Sequence, residues 1–322
     1  EHEQRLEAVR AKAAACLRCA IDELVLTGST TAGMNWIAQG LTLAPGDRVL
    51  TTDQEHPGGR ACWDYVVRRH GVVLDVVPIP PSEHDPRAIV SRVAERVTPK
   101  TKALSFSHVL SSTGLRMPVA DLSAMARARG ILSIVDGAQA VGGIDVDVKA
   151  LGCHAYATSG HKWLLGPKGT GLLYLSAEIG TTIDPIALEG GRAAYSNSSG
   201  VCSLPSVIAL GTAFDYRTAI GPARIEAHNL QLRHQLFARL ATVPKLRVVS
   251  AAPGPMASPM LAYELPATVP ARDLHLRLRE RHQVEVKIVP GQWFNGHRIS
   301  THLFNTAADV DALVAALKAE LA

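Results

Sequence analysis

Ile131-Leu132-Ser133-Ile134-Val135-Asp136-Gly137-Ala138-Gln139 is the stretch that decides the fold. Its short apolar run reads as a buried strand. The strand delivers an acid, Asp136, and then an amide, Gln139, at its C-terminal end. Downstream lies Ser159-Gly160-His161-Lys162-Trp163, and Gly166-Pro167-Lys168-Gly169-Thr170-Gly171 follows at once. Twenty-six positions separate Asp136 from Lys162, room for one further strand and two turns.

Working outward, strands are expected at 24–26, 48–52, 72–79, 102–107, 131–136, 154–158 and 171–175. Helical patterns fall at 2–20, 34–41, 63–69, 86–97 and 118–129. This alternation predicts α/β units on a mostly parallel sheet, with strand C-terminal ends and any ligand along one edge. Beyond about residue 215 the pattern changes. A long helix over 223–240 is followed by strands near 246–250, 259–264 and 283–288, with helices near 271–281 and 307–321. Two domains follow, 1–215 and a smaller α+β unit at 216–322.

With 322 residues, 47% of them hydrophobic, the chain can bury a large core. A net charge of +4 without a Lys/Arg block argues against a nucleic-acid partner. No apolar run approaches spanning length, so no membrane partner is expected either. The five cysteines suit reduced thiols in a cytoplasmic enzyme. Cys16 and Cys19 form a C-x-x-C pair inside a helical pattern; packing or a redox role remains open, and no second pair completes a metal site. Nothing at Glu1 reads as a signal peptide, and the missing initiator Met is consistent with a processed or truncated chain.

A lysine amine, an acid at a strand tip and a hydroxyl-rich, Gly-rich turn are the parts that hold pyridoxal phosphate (PLP), whose enzymes use a Lys Schiff base and an acidic partner for the ring nitrogen. Thr30 and Thr31 follow Thr27-Gly28-Ser29, where a strand enters a helix whose free N–H groups suit a phosphate. Alone that turn is a weak signal, because helix N-caps use the same residues. It lacks the G-x-G-x-x-G spacing of a dinucleotide site.

The order of these pieces, from about residue 22 to the C-terminus, resembles the class V aminotransferase family of fold-type I PLP enzymes. Its members include isopenicillin N epimerases, cysteine desulfurases and carbon–sulfur lyases. The resemblance implies a seven-stranded sheet in the large domain, PLP as cofactor, an amino-acid substrate and a homodimer. It makes Lys162 the Schiff-base lysine, Asp136 the partner of the pyridinium nitrogen and Gln139 the partner of the ring phenolic oxygen. Ser159 and His161 join Thr30 and Thr31 in the phosphate cup. His56, seven residues before Trp63, matches the His that stacks over the ring. His108 stands where several relatives carry Asn near the ring oxygen and epimerase-like members carry His. Thr113, Gly114 and Pro118 match the loop after that strand. Arg298 matches the arginine that grips the α-carboxylate, for which its planar fork is suited. His302, Phe304 and Asn305 continue the C-terminal signature.

Two departures matter. The family's Gly-Thr pair, which often reaches a partner subunit's phosphate, falls on Gly200-Val201, and Val201 cannot donate, leaving Ser198 or Ser199 as substitutes. Desulfurases need a cysteine shortly before the Arg298 position, and 286–297 contains none. The resemblance therefore points to an isopenicillin N epimerase-like enzyme, with a β-eliminating carbon–sulfur lyase as the alternative. A transaminase or a non-catalytic PLP-binding protein stands behind both. Lys162, His56, Asp136 and His108 are the expected catalytic groups, and no metal is expected.

Overall fold

The computed structural model describes residues 2–180, 182–189, 191–193 and 203–321. Helix α1 (His2–Leu17) precedes β1 (Leu24–Thr27). The chain then alternates through α2 (Thr30–Gly40), β2 (Arg48–Thr52), α3 (Pro57–His70), β3 (Val73–Val77), α4 (Pro86–Ala94), β4 (Thr101–Ser107), α5 (Val119–Ala128), β5 (Leu132–Asp136), α6 (Val148–Leu151), β6 (Ala155–Ser159) and β7 (Gly171–Leu175). The sheet runs β1-β7-β6-β5-β4-β2-β3. Strands β2 to β6 pair in parallel, and β7 is antiparallel to both β6 and β1. The expected mostly parallel, seven-stranded sheet is therefore present. Every residue of β6 and β7 is buried, as befits central strands covered on both faces.

This topology gathers Thr52, Ser107, Asp136 and Ser159 at strand C-terminal ends along one edge. Gly171, where the antiparallel β7 begins, faces Ser159 there. Two local features bring helices close to that edge. In α2, a Cβ on Gly33 would sit 3.0 Å from the Ala157 Cβ, so the pairing of two small residues lets α2 press onto β6. Helix α3 starts at an N-cap, His56, with Pro57 in the first turn, and stops at Gly71 in the left-handed region (φ 67°).

Two helices, α7 (Leu204–Ile220) and α8 (Pro222–Leu240), lead to a second sheet. Its strands are β8 (Arg247–Val248), β9 (Met260–Glu264), β10 (Lys287–Ile288) and β11 (Gly296–Ser300), with α9 (Ala271–His282) before β10 and α10 (Ala307–Leu321) at the end. It is antiparallel, in the order β10-β11-β9-β8. Leu236, Leu274, Leu278, Leu313 and Leu317 pack one face against Leu261 and Tyr263. Position 215 lies inside α7, and the chain turns at Gly221 (φ 98°) between α7 and α8. The sequence pattern did not announce α7 or β11. Strand β11, Gly-His-Arg-Ile-Ser, has a single β-branched apolar residue and owes its extension to pairing with β9.

Candidate active site

A cavity of about 190 Å³ opens at the strand tips. Its walls bring together Thr30, Thr31, His56, Asp136, Gln139, Ser159, His161 and Lys162. Asp136 ends β5 and is buried. Its Oδ1 accepts the Ala138 N–H at 2.9 Å, and Oδ2 accepts no hydrogen bond among the described residues. A Cβ on Gly59 would lie 2.6 Å from that Oδ2, so the glycine lets α3 pass over the acid. Burial pushes the Asp136 carboxyl upward, opposed by the Ala138 N–H and by the charges of Lys162 and His56. Burial likewise pushes the Lys162 amine downward, opposed by Asp136 and reinforced by Arg298. Amine and acid thus feel one another across a common space, each favouring the other's charged form.

Gln139 is fixed from behind, its Oε1 accepting the Trp163 indole N–H at 3.0 Å. That leaves the amide N–H groups to serve the cavity. The Trp163 ring stacks on His302 (centroids 5.1 Å, 5° between planes), and His302 stacks on Phe304 (4.4 Å, 13°). On the far side, Ser159 Oγ accepts the Thr30 N–H at 2.9 Å and shares a hydrogen bond with the Thr30 hydroxyl at 2.6 Å. The N-cap Ser29 accepts from Ala32 N–H. The first turn of α2 therefore meets the Ser159 end of β6 at one point, where a dianion would find dipole and hydroxyls together.

His56 Nδ1 accepts the Gly58 N–H at 3.0 Å, so a neutral ring carries its proton on Nε2. Burial, then the Lys162 charge, hold its pKa below the usual imidazole value. Asp136 opposes them, and Arg298 and Lys287 add to the depression. Arg298 Nη1 donates to Ser111 O at 2.8 Å, while its buried Nε has no partner among the described residues. Arg298 and Lys162 line a second, larger vestibule of about 430 Å³ together with Gln139, Trp163, Leu165, Ser300, His302 and Phe304. A carboxylate at Arg298 and an amine at Lys162 can thus belong to one small molecule.

The family model for class-V aminotransferases matches residues 1–313. The chain belongs to the class-V aminotransferase family. It is 33% identical to isopenicillin N epimerase of Streptomyces clavuligerus, an alignment covering 92% of this chain and 79% of the relative. It is 30% identical to a cysteine desulfurase of Serratia proteamaculans (99% and 83% covered). In fold it is similar to a cystine C–S lyase solved with cysteine persulfide (TM-score 0.88, 22% identity, 98% and 87% covered). It is also similar to the apo cysteine desulfurase of Thermococcus onnurineus NA1 (TM-score 0.86, 22%, 99% and 84%). This class-V protein is a PLP-dependent enzyme. The residues fit the group: one cavity is lined by an acid with one oxygen free of hydrogen bonds among the described residues, an amine, and a helix N-terminus with hydroxyls.

Against the family pattern, His108 is a correction. Ser107 and Val109 line the cavity and His108 does not. Ser107 pairs with Asp136 across β4 and β5 and shares its face, so the next side chain leaves on the other side. The His108 ring is buried there, Nδ1 bonded to Tyr156 Oη at 2.9 Å, and burial drives its pKa down to about 3. Sequence reasoning missed the lining residues Gly59, Ser107 and Ser111, and Glu55, which supports the site from outside the cavity wall. The Glu55 carboxylate accepts the Thr52 and Ser107 hydroxyls, each at 2.6 Å, and clamps the tips of β2 and β4 beside His56. Burial pushes it up to about 7 against those two bonds, and the Asp136 charge adds to the rise. The available signal was its place in Gln54-Glu55-His56, one residue from a site histidine. Gly200, Val201, Ser198, Ser199 and Cys202 lie outside the described residues.

Proposed function

We propose that this enzyme removes the Cα proton of an amino-acid substrate and returns it to the opposite face, an epimerase of the isopenicillin N epimerase kind. Bound PLP supplies an electron sink conjugated to Cα. Arg298 would hold the α-carboxylate, Asp136 would keep the cofactor's ring nitrogen charged, and Gln139 and the α2 terminus would bond its phenolic oxygen and phosphate. The observation that carries the reading is that two separate proton carriers, Lys162 and His56, line one cavity, while no cysteine among the described residues does. A pair of proton carriers can serve inversion by taking the Cα proton from one face and returning it on the other. Burial raises every described cysteine, Cys19, Cys62 and Cys153 up to about 12. Persulfide chemistry therefore lacks its nucleophile among them. With His108 facing the core, His56 is left as the partner of Lys162.

Incubation with L- and D-amino acids and cysteine conjugates in deuterated water tests this. Deuterium at Cα with both enantiomers recovered is the expected result. Pyruvate with a released thiol would establish the C–S lyase alternative, and keto acid would establish transamination. A homodimer belongs to the same reading. Ile186 (86% exposed) and Phe304 (64%) are large apolar side chains that stay exposed among the described residues. Sedimentation of the holoenzyme as a monomer would remove that part.

A further inference from the structure

Lys287 and Arg298 stand directly opposite one another in the antiparallel β10–β11 pair. Directly opposed side chains share a face of the sheet, and like charges placed so destabilise it. The same face carries Ala262, the β9 partner of Arg298, and turns toward the cofactor domain. Arg298 reaches Ser111 O there, and Trp293 Nε1 donates to Asp53 O at 3.0 Å. Neither cation forms an ion pair among the described residues. The acids nearest in the chain, Glu285 and Asp309, line the groove beside Lys287 but bond to other groups. Glu285 faces His275 (3.6 Å) and Arg279 (3.7 Å), and Asp309 caps the start of α10 through Thr306 N–H at 2.8 Å.

Arg298 and Ser300 belong to two spaces at once. One is the vestibule at Lys162. The other is a groove of about 710 Å³ that runs on past Lys287. Lys287 stands beside Arg298 on the same sheet face, so a molecule anchored by its α-carboxylate at Arg298 has a second positive charge next to it. Lys287 also acts on His56, so its charge is felt inside the site.

We propose that Lys287 is a specificity-determining residue, which with Arg298 forms a dication selecting amino acids that carry a second anionic group besides the α-carboxylate. The proposal rests on the amino-acid reading of the site and narrows it to acidic substrates. A plain edge-strand lysine, whose charge only discourages strand pairing with other molecules, would affect solubility and not ligand choice.

The test is spectral titration of the holoenzyme with aspartate, glutamate and the next higher homologue, each against its side-chain amide, for wild type, Lys287→Ala and Lys287→Arg. A hydrogen bond between charged groups supports an acid-over-amide preference of about tenfold for the homologue whose length fits. Lys287→Ala should lower affinity for that acid about tenfold more than for its amide, and Lys287→Arg should restore the preference. Neutral amino acids that perturb the spectrum with no acid preference at any length, or a Lys287→Ala variant with the wild-type ratio, would overturn the role of Lys287 alone. A panel in which no amino acid perturbs the spectrum would overturn the amino-acid reading with it.

Discussion

Gly59→Ala places one methyl group against Asp136, the proposed partner of the cofactor ring. Gly59 lies in the first turn of α3, where alanine is ordinarily better by about 0.5–1 kcal/mol. Here the added Cβ would be 2.6 Å from Asp136 Oδ2, roughly 0.7 Å short of the ~3.3 Å at which carbon and oxygen meet comfortably. Overpacking of this kind costs about 1–3 kcal/mol, so the clash at least matches the helix gain and the apoenzyme loses up to about 2.5 kcal/mol. The larger effect is functional. A shift of ~0.7 Å at an anchoring group approaches the 1 Å misplacement that costs on the order of a hundredfold in rate. Turnover should fall about tenfold or more, with weaker PLP retention on dialysis. Removing the carboxylate removes the clash, so in an Asp136→Ala background Gly59→Ala should stabilise the apoenzyme in thermal unfolding. A Gly59→Ala protein that is more stable in both backgrounds and keeps wild-type cofactor affinity would refute the close approach and the role it gives Gly59.

Lys162→Ala should leave a colourless protein to which borohydride fixes no cofactor; a retained visible imine band would remove Lys162 from its role. Glu55 has a folded-state pKa raised to about 7 from an ordinary 4.5, so the folded state holds the extra proton. Its contribution is greatest below the unfolded value and is lost as pH rises toward 7. Apoenzyme stability measured against pH should therefore fall less between about 4.5 and 7 in Glu55→Gln than in wild type, and parallel curves would disprove it. Trp163→Phe deletes the N–H held by Gln139 while keeping a ring on His302. Loss of one such bond costs about 1 kcal/mol, so cofactor affinity measured by equilibrium dialysis should weaken roughly fivefold. An unchanged dissociation constant would show that Gln139 is held by other means.

The strand that ends in Asp136 and the turn that carries Lys162 were legible because each is a local pattern: a run of apolar residues, then polar groups at its end. Tertiary contacts decided the rest. His108 and Ser107 are neighbours in sequence, and only the register of β4 on β5 says which of them shares a face with Asp136. Glu55 supports the site because β2 and β4, whose tips supply Thr52 and Ser107, are brought side by side. Arg298 was named from its motif, yet its strand has little propensity of its own, and its pairing with Lys287 arises from a register that two-residue β10 cannot encode locally.

By itself the sequence determined the alternating α/β order, an acid and an amine that the fold brings to one cavity, and the family. The tertiary structure alone decided which face each neighbouring side chain takes and which distant charges meet. Periodicity is a property of adjacent residues, whereas strand register and burial are set by partners far away in the chain.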